Sequence, residues 1–246
     1  MAQVVETAAF LAIGNELLGG KVAEANLFPL AKTLRSLGIQ LCQSEILPDD
    51  VPRVAAAVAR LSGQHGLVIT SGGVGPTHDD VTMEAVAAAF GRRVVRSEEL
   101  VALVQQTFGD KTTEAHLRFA DVPEGAVLRH APDAAWPTPV VENVWILPGV
   151  PEVFRMKLSA LRAWVKGPRP FFTRALVSTQ DEVHLKDALD AVVAAHAAVT
   201  VGSYPALFNP RYRTRVTFDG TSEADVLAAL EDLRARVPAA TIVEIE

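Results

Sequence analysis

Two adjacent carboxylates, Asp79 and Asp80, stand near the end of a glycine-rich segment, residues 71–82 (SGGVGPTHDDVT), and are the residues best suited to chemistry. A glycine-rich turn before a helix presents backbone N–H groups that can bind an anion such as phosphate. Two carboxylates beside such a site repel the anion unless a cation lies between them. The segment therefore predicts a phosphate-containing ligand held partly through a divalent metal ion, with Mg²⁺, Mn²⁺ or Co²⁺ as candidates.

This segment matches neither of two common phosphate-binding motifs. A Walker A loop needs a lysine and then a serine or threonine after its last glycine, but Pro76 and Thr77 follow Gly75. The Rossmann fingerprint needs a third glycine, and His78 stands at that position. The segment alone leaves open a simpler interpretation, in which the glycines serve a turn and an aspartate caps the next helix.

Carboxylates also follow three other predicted strands. They are Glu16 after residues 10–13, Asp49 after residues 39–47, and Glu152 after residues 144–147. In an open α/β sheet the carboxyl ends of parallel strands meet at one edge, and ligands bind there. We therefore predict that these three residues surround one crevice together with Asp79 and Asp80. Helix capping is the alternative role, and it suits Glu152 equally well.

The elements that must position these residues alternate between strand and helix over the first two-thirds of the chain. Leucines and an alanine at helical spacing predict a helix over residues 24–37, which Gly38 ends. The other predicted helices cover residues 51–61, 83–90, 97–108 and 151–165, and the predicted strands cover residues 10–13, 39–47, 67–70 and 140–147. Such alternation predicts the α/β class, with a three-layer, mostly parallel sheet and helices on both faces.

A boundary is predicted at residues 166–170 (KGPRP), which gives one domain over residues 1–168 and another over 169–246. The second part contains strands at 171–178, 199–203, 212–218 and 241–245, and helices at 181–196 and 222–236. This βαββαβ order predicts a small α+β domain. Tyr204, beside the predicted hairpin, could stack on a base or an isoalloxazine ring, or simply pack in a turn.

Composition argues against several function classes. Of the 246 residues, 49% are hydrophobic and 21% are charged, and the formal net charge is −6. This acidic balance argues against nucleic acid and anionic membrane as partners. No apolar run approaches the roughly 18–20 residues that span a bilayer, and no signal-peptide pattern is found, so we expect a cytoplasmic protein. The single cysteine, Cys42, excludes an internal disulfide, and its apolar neighbours predict a buried thiol.

Three segments resemble the signature segments of the molybdopterin-binding-like domain. They are residues 14–20 (GNELLGG), 72–82 (GGVGPTHDDVT) and 147–152 (LPGVPE). This domain occurs in molybdenum-cofactor biosynthesis proteins and at the N-terminus of CinA proteins, and the likeness extends from residue 7 to about residue 165. Residues 202–205 (GSYP) further resemble eukaryotic FAD synthase, and the tail resembles the KH-like domain of CinA.

The resemblance implies divalent-metal-dependent hydrolysis of a dinucleotide pyrophosphate such as FAD or ADP-ribose, which releases AMP. It implies catalytic roles for Asp79, Asp80 and Glu16, and metal ligation by Asp49, Asp79, Asp80 and Glu152. The implied substrate-binding residues are Gly14, Ser71, Gly72, Gly73, Gly75, Pro76, Thr77, Thr82, Pro148, Gly149 and Tyr204. Relatives form dimers or trimers, so we expect a homo-oligomer.

Two other functions stay open at this point. One is the binding or adenylylation of molybdopterin in cofactor biosynthesis, and the other is a non-catalytic regulator that binds a nucleotide. The proline-rich residues 130–139 (HAPDAAWPTP) stand where CinA has a GTAPG segment, which disfavours ADP-ribose as the substrate. No segment resembles the deamidase domain of CinA or the adenylyl-transferring domain of FAD synthase, so we expect neither amide hydrolysis nor FAD synthesis.

Overall fold

This computed structural model describes residues 2–246, which form two units. In the larger unit an almost wholly buried strand, Thr7–Ile13, lies between two parallel neighbours. Six of its seven residues are buried. A continuous apolar strand of this kind is typical of a parallel sheet that is covered on both faces. The larger unit ends at Pro168, and the second unit is Arg169–Glu246.

Residues 2–168 of the larger unit form ten strands and seven α-helices. In chain order the strands are β1 (Gln3–Val4), β2 (Thr7–Ile13), β3 (Gln40–Leu47), β4 (Leu67–Ser71), β5 (Val94–Arg96), β6 (Asp121–Pro123), β7 (Val127–Ala131), β8 (Ala134–Val141), β9 (Val144–Leu147) and β10 (Val165–Lys166). The helices are α1 (Asn15–Leu18), α2 (Leu27–Ser36), α3 (Val51–Gln64), α4 (Thr82–Ala89), α5 (Glu98–Phe108), α6 (Glu114–Leu117) and α7 (Pro151–Trp164).

The main sheet has six strands in the order β3-β2-β4-β9-β8-β7. The first four are parallel to one another, and β8 and β7 are antiparallel additions at one side. Alternate residues of β2 point to opposite faces. Phe10 packs with residues of α2 and α7 on one face, and Leu11 packs with residues of α3 and α4 on the other. The predicted three-layer, mostly parallel α/β architecture is therefore confirmed.

The single strand predicted over residues 140–147 is wrong. The chain reverses at Glu142 and Asn143, so that β8 and β9 form a hairpin in which Val141 pairs with Val144. Glu142 has a φ of 52°, a left-handed conformation that non-glycine residues adopt rarely. The proline-rich segment before this turn forms part of β8, although proline is depleted in strands.

Cys42 is exposed, so the predicted buried thiol is also wrong. It lies on β3, which is the outermost strand on its side of the main sheet and alternates between exposed and half-buried residues. Within residues 2–246, every helix is too short or too polar to cross a membrane.

The second unit follows the predicted βαββαβ order. Its elements are β11 (Phe172–Ser178), α8 (Glu182–Ala195), β12 (Thr200–Pro205), β13 (Thr214–Gly220), α9 (Glu223–Arg236) and β14 (Ile242–Ile245). The four strands form an antiparallel sheet in the order β12-β13-β11-β14. A core cluster joins this sheet to both helices, with Phe218 as its largest fully buried side chain.

Candidate functional site

The loops that follow the four parallel strands meet at one edge of the main sheet. They begin at Gly14, Pro48, Gly72 and Pro148. Residues from all four loops line one cavity of about 740 Å³. Typical small-molecule sites have volumes of about 300–1,000 Å³, so this cavity can hold a ligand of nucleotide size.

Glycines let the loop after β4 approach the end of β2. This loop, residues 72–77, is called the glycine loop below. Gly72 has a φ of +101°, and a Cβ on it would lie 2.2 Å from the carbonyl oxygen of Ile13. Gly73 has a φ of +62°, and a Cβ on it would lie 2.5 Å from Thr82 Oγ1. A side chain at either position would therefore displace the loop.

Three consecutive backbone N–H groups of the glycine loop are available to a ligand. The N–H groups of Gly73, Val74 and Gly75 have no hydrogen-bond acceptor among residues 2–246, and all three residues line the cavity. Successive backbone N–H groups in a turn form a concave site for an anion. The glycine loop can therefore donate to the oxygen atoms of a phosphate.

Thr77 brings the two adjacent carboxylates together. Its hydroxyl oxygen lies 2.6 Å from Asp79 Oδ1 and 2.5 Å from Asp80 Oδ2, and its backbone N–H donates to Asp80 Oδ2 at 2.8 Å. The hydrogen bond from Thr77 is the main cause that lowers the pKa of Asp79 below its usual value. A hydroxyl has one hydrogen to donate, so it cannot neutralise two carboxylates. A cation is the natural third partner of this arrangement.

Two further carboxylates line the cavity from the loops after β2 and β3. The backbone N–H of Asn15 donates to Asp49 Oδ2 at 2.8 Å, which ties these loops together. The carboxylate of Glu16 lies over Gly14, because a Cβ on Gly14 would be 2.3 Å from Glu16 Oε1. Glu16, Asp49, Asp79 and Asp80 are called the acidic group below.

The acidic group fits a metal ion that binds together with a phosphate ligand. Within residues 2–246, no three or more His, Cys, Asp or Glu side chains are grouped so that they could hold a metal ion by themselves. Mg²⁺, however, is commonly bound through one or two carboxylates plus substrate phosphates and water. The pair Asp79 and Asp80 supplies this smaller donor set.

Four predicted site residues do not lie on the cavity wall. Ser71 and Thr82 are buried behind the glycine loop, and Glu152 is exposed in the first turn of α7. Tyr204 lies on β12 in the second unit, with 56% of its surface exposed. The other predicted residues line the cavity, namely Gly14, Glu16, Asp49, Gly72, Gly73, Gly75, Pro76, Thr77, Asp79, Asp80, Pro148 and Gly149.

Asn26 is a supporting residue that the sequence analysis missed. It is only 4% exposed, and its Nδ2 donates to Ser71 Oγ at 2.9 Å and to the carbonyl oxygen of Gly149 at 2.8 Å. It thereby joins the ends of the loops after β4 and β9. Its position directly before the apolar stripe of α2 looks like an ordinary helix cap, so the sequence gives no separate signal for this role.

Lys157 is a second missed residue, and it lines the cavity. It is 8% exposed, and its Nζ donates to the carbonyl oxygen of Pro137 at 2.9 Å and also to that of Trp136. Burial lowers the pKa of Lys157 to about 8. A signal was available, because Lys157 falls three residues after Phe154 on the apolar stripe of α7, where a charged side chain is unusual.

These features define an open α/β protein with a glycine-rich loop of available backbone N–H groups and acidic side chains at the carboxyl ends of its parallel strands. Residues 9–164 match the family model described as "Probable molybdopterin binding domain", and residues 170–246 match the one described as "FAD synthase, middle domain". The chain belongs to the molybdopterin-binding domain family.

Relatives match this chain over shares that range from under half to more than nine-tenths of its length. A protein of Archaeoglobus fulgidus is 33% identical over 222 residues, which cover 90% of this chain and 93% of that protein. A "Probable FAD synthase" of Caenorhabditis elegans is 29% identical over 93% of this chain, which spans only 49% of that relative. A CinA-like protein of Syntrophotalea carbinolica is 37% identical over 45% of this chain and 27% of its own length.

A solved structure supports the fold of the first unit. The crystal structure of the protein CinA, of unknown function, from Thermoplasma acidophilum is 28% identical to this chain with a TM-score of 0.59. The match covers 64% of this chain and 96% of the CinA chain.

Proposed function

We propose that this chain hydrolyses the pyrophosphate of a dinucleotide such as FAD or ADP-ribose, with the help of a divalent metal ion, and releases AMP. The observation that carries the proposal is that one cavity holds both the free N–H groups of the glycine loop and the carboxylates of Asp79 and Asp80. The oxygen atoms of a pyrophosphate can accept hydrogen bonds from these N–H groups. They can also bind a metal ion that these carboxylates hold.

The glycine loop binds and orients the pyrophosphate. The N–H groups of Gly73, Val74 and Gly75 donate to oxygen atoms on the phosphates. Because Gly72 and Gly73 are closely packed against Ile13 and Thr82, the loop holds these donors in fixed positions. Fixed donors lower the entropic part of the barrier and cost little reorganisation during the reaction.

Asp79 and Asp80 would hold the metal ion, and ligation by Asp49, which lines the same cavity, stays a prediction. Mg²⁺, Mn²⁺ or Co²⁺ would supply positive charge that stabilises the charge developing on the phosphate oxygens. Thr77 positions both carboxylates, and its hydrogen bond lowers the pKa of Asp79. Glu152 is exposed on α7 outside the cavity wall, and its ligation stays a prediction.

Glu16 is the proposed proton acceptor. Its carboxylate takes a proton from the attacking water, whose oxygen forms a bond to the phosphorus of the AMP half. The bond from that phosphorus to the bridging oxygen breaks, and the bridging oxygen leaves on the other phosphate. With FAD and water as reactants, the products are AMP and FMN.

The comparisons favour FAD among the candidate substrates. The match of residues 170–246 to the "FAD synthase, middle domain" model and the 93% coverage by the C. elegans relative both connect this chain to flavin nucleotides. The chain spans about half of that relative, so nothing about FAD synthesis is transferred to it.

The test is product analysis with FAD, ADP-ribose and NADH as substrates, each with Mg²⁺, Mn²⁺ or Co²⁺ and with EDTA. We expect AMP from at least one substrate in the presence of metal and none with EDTA. Asp79→Asn and Asp80→Asn should each reduce the rate at least about tenfold, because each removes a charged ligand. Asp110→Asn, at an exposed position that does not line the cavity, is the matched control.

Two results would count against hydrolysis. One is the absence of AMP from every substrate in protein that circular dichroism shows to be folded. The other is an unchanged rate in both Asp79→Asn and Asp80→Asn.

Binding of a pterin without cleavage is the second candidate, and the family match over residues 9–164 favours it. The same cavity would then hold the phosphate of a pterin in the glycine loop. Pterin fluorescence in the purified protein, together with no release of AMP, would support this candidate over hydrolysis.

A further inference from the structure

The cavity wall contains apolar residues in addition to the acidic group. Met83, Leu100 and Trp136 line it and pack within one hydrophobic cluster; they are called the apolar wall below. Trp136 comes from the part of β8 that extends beyond the two residue pairs joining β8 to β9. A flat apolar surface beside polar groups is typical of sites for heteroaromatic rings.

Lys157 lies beside this wall, and its ammonium group has one N–H donor without an acceptor among the residues that the structure describes. Its ammonium group donates to the carbonyl oxygens of Trp136 and Pro137, and an ammonium has three N–H donors. No carboxylate lies within ion-pair distance of Lys157 among residues 2–246, and one of its donors has no acceptor there. A buried N–H donor without an acceptor is costly, so the third N–H of Lys157 on a cavity wall points to an acceptor atom on a ligand.

Among the residues that line the cavity, Lys157 is the only basic one within the described part of the chain. The glycine loop already offers three donors to phosphate, whereas the side chains of the apolar wall offer a ring no donor except the indole N–H of Trp136. A lysine is a donor only, so it selects an acceptor. A carbonyl oxygen on a neutral ring is an acceptor that brings no further charge into apolar surroundings.

We propose that Lys157 determines which ring the cavity accepts, by donating a hydrogen bond to a ring carbonyl of a flat heterocycle that lies against the apolar wall. Isoalloxazine and pteridinone rings carry such carbonyls, whereas adenine has none and presents an amino donor instead. Because the ring is taken to be part of the ligand proposed above, this inference rests on the proposed function. It adds a specificity-determining residue and the chemical class of ring that it recognises.

The test is calorimetric binding without turnover, in wild-type protein and in Lys157→Met, Lys157→Gln and Lys111→Met. The probes are riboflavin and neopterin, which carry ring carbonyls but no phosphate, and AMP and pyrophosphate, which carry phosphate but no ring carbonyl. Loss of a charged hydrogen bond weakens binding at least about tenfold. We therefore expect this loss for riboflavin or neopterin in Lys157→Met, with AMP and pyrophosphate within about twofold of wild type.

The two control variants separate recognition from folding. Lys157→Gln keeps N–H donors that can serve the carbonyls of Trp136 and Pro137 or the ring carbonyl, so it should bind the ring more tightly than Lys157→Met does. Lys111→Met changes an exposed lysine that does not line the cavity, and it should bind like wild type. Of the two rings, the one that binds in a Lys157-dependent way identifies the ligand as a flavin or a pterin.

Three outcomes would overturn the proposal. The first is wild-type protein that binds neither ring, and the second is a Lys157→Met variant that binds both rings as wild type does. The third is a Lys157→Met variant whose affinity for pyrophosphate or AMP falls as much as its affinity for the ring. Ring binding that depends on Lys157, in protein that releases no AMP, would uphold this inference and refute hydrolysis. Hydrolysis of FAD at the wild-type rate by Lys157→Met would support the proposed hydrolysis and refute the role of Lys157 in ring recognition.

Discussion

The hydroxyl of Thr82 donates a hydrogen bond of 2.7 Å to the carbonyl oxygen of Gly72, and both residues are buried. The backbone N–H of Thr82 also donates to the carbonyl oxygen of Gly73 at 2.9 Å. The first residue of α4 therefore closes the glycine loop from behind. This relationship explains why a threonine that does not line the cavity is still required by the geometry of the site.

Replacement of Thr82 by valine should destabilise the protein, whereas serine should be tolerated better. Valine has nearly the same shape but leaves the buried Gly72 carbonyl without its donor, which costs about 1–3 kcal/mol in free energy of unfolding. Serine keeps the hydroxyl. Urea unfolding of both variants measures the difference. Equal stability of Thr82→Val and wild type would show that the hydrogen bond is not needed.

Two glycine-to-alanine substitutions should have opposite effects. Gly73→Ala places a Cβ 2.5 Å from Thr82 Oγ1 at a positive φ, so it should lower both stability and the affinity for pyrophosphate. Gly63, inside α3, has open space around its Cβ position, and alanine there should raise stability by about 0.5–1 kcal/mol. Unfolding curves and pyrophosphate calorimetry on both variants provide the comparison, and a Gly73→Ala protein with wild-type affinity would argue against the glycine loop as the anion site.

Thr77→Val should raise the pKa of Asp79. The hydrogen bond from Thr77 is the main cause of the lowered pKa, so its removal returns the carboxyl toward its usual value. Protonation of Asp79 would then occur at higher pH. The loss of activity on the acidic side of the pH–rate profile should therefore also begin at higher pH. Side-chain NMR titration of Asp79 in wild type, Thr77→Val and Thr77→Ser measures this shift. A pKa that is the same in all three proteins would contradict it.

The parts of the fold that were predicted correctly have local signals in the sequence. The buried parallel strands are short apolar runs, such as residues 67–70, and each precedes a helical stripe. The glycine loop and the acidic group were found because glycines and carboxylates directly follow those runs. Once the strands are parallel, the chain geometry alone brings the loops to one edge.

The features that were missed depend on contacts between distant segments. The turn at Glu142 and Asn143 lacks the Asn-Gly or Asp-Gly pair that marks a hairpin, so the apolar residues on both sides read as one strand. Cys42 follows Leu41 in a segment with apolar residues near both ends, but its strand lies at the edge of the sheet and exposes alternate residues. The role of Lys157 depends on the carbonyl oxygens of Trp136 and Pro137, which lie twenty residues away.

Lys157 should make the stability of the protein depend on pH in the alkaline range. Burial lowers its pKa from 10.5 to about 8, so the folded protein loses this proton near pH 8 and the unfolded chain keeps it until about pH 10.5. Between these values the unfolded state binds more protons, so the free energy of unfolding rises with pH. Over the whole window the gain is on the order of 3 kcal/mol relative to a protein without this group.

Lys157→Met provides that reference, because it removes the titrating group and leaves the other ionisable residues in place. Urea unfolding of both proteins at intervals from pH 7 to pH 10.5 should give a wild-type stability that increases relative to the variant above pH 8. Below pH 8 the lysine is charged in both the folded and the unfolded state, so the difference should be constant there. A difference that is flat across the alkaline range, or that falls, would mean that Lys157 is solvated rather than held against the carbonyl oxygens of Trp136 and Pro137.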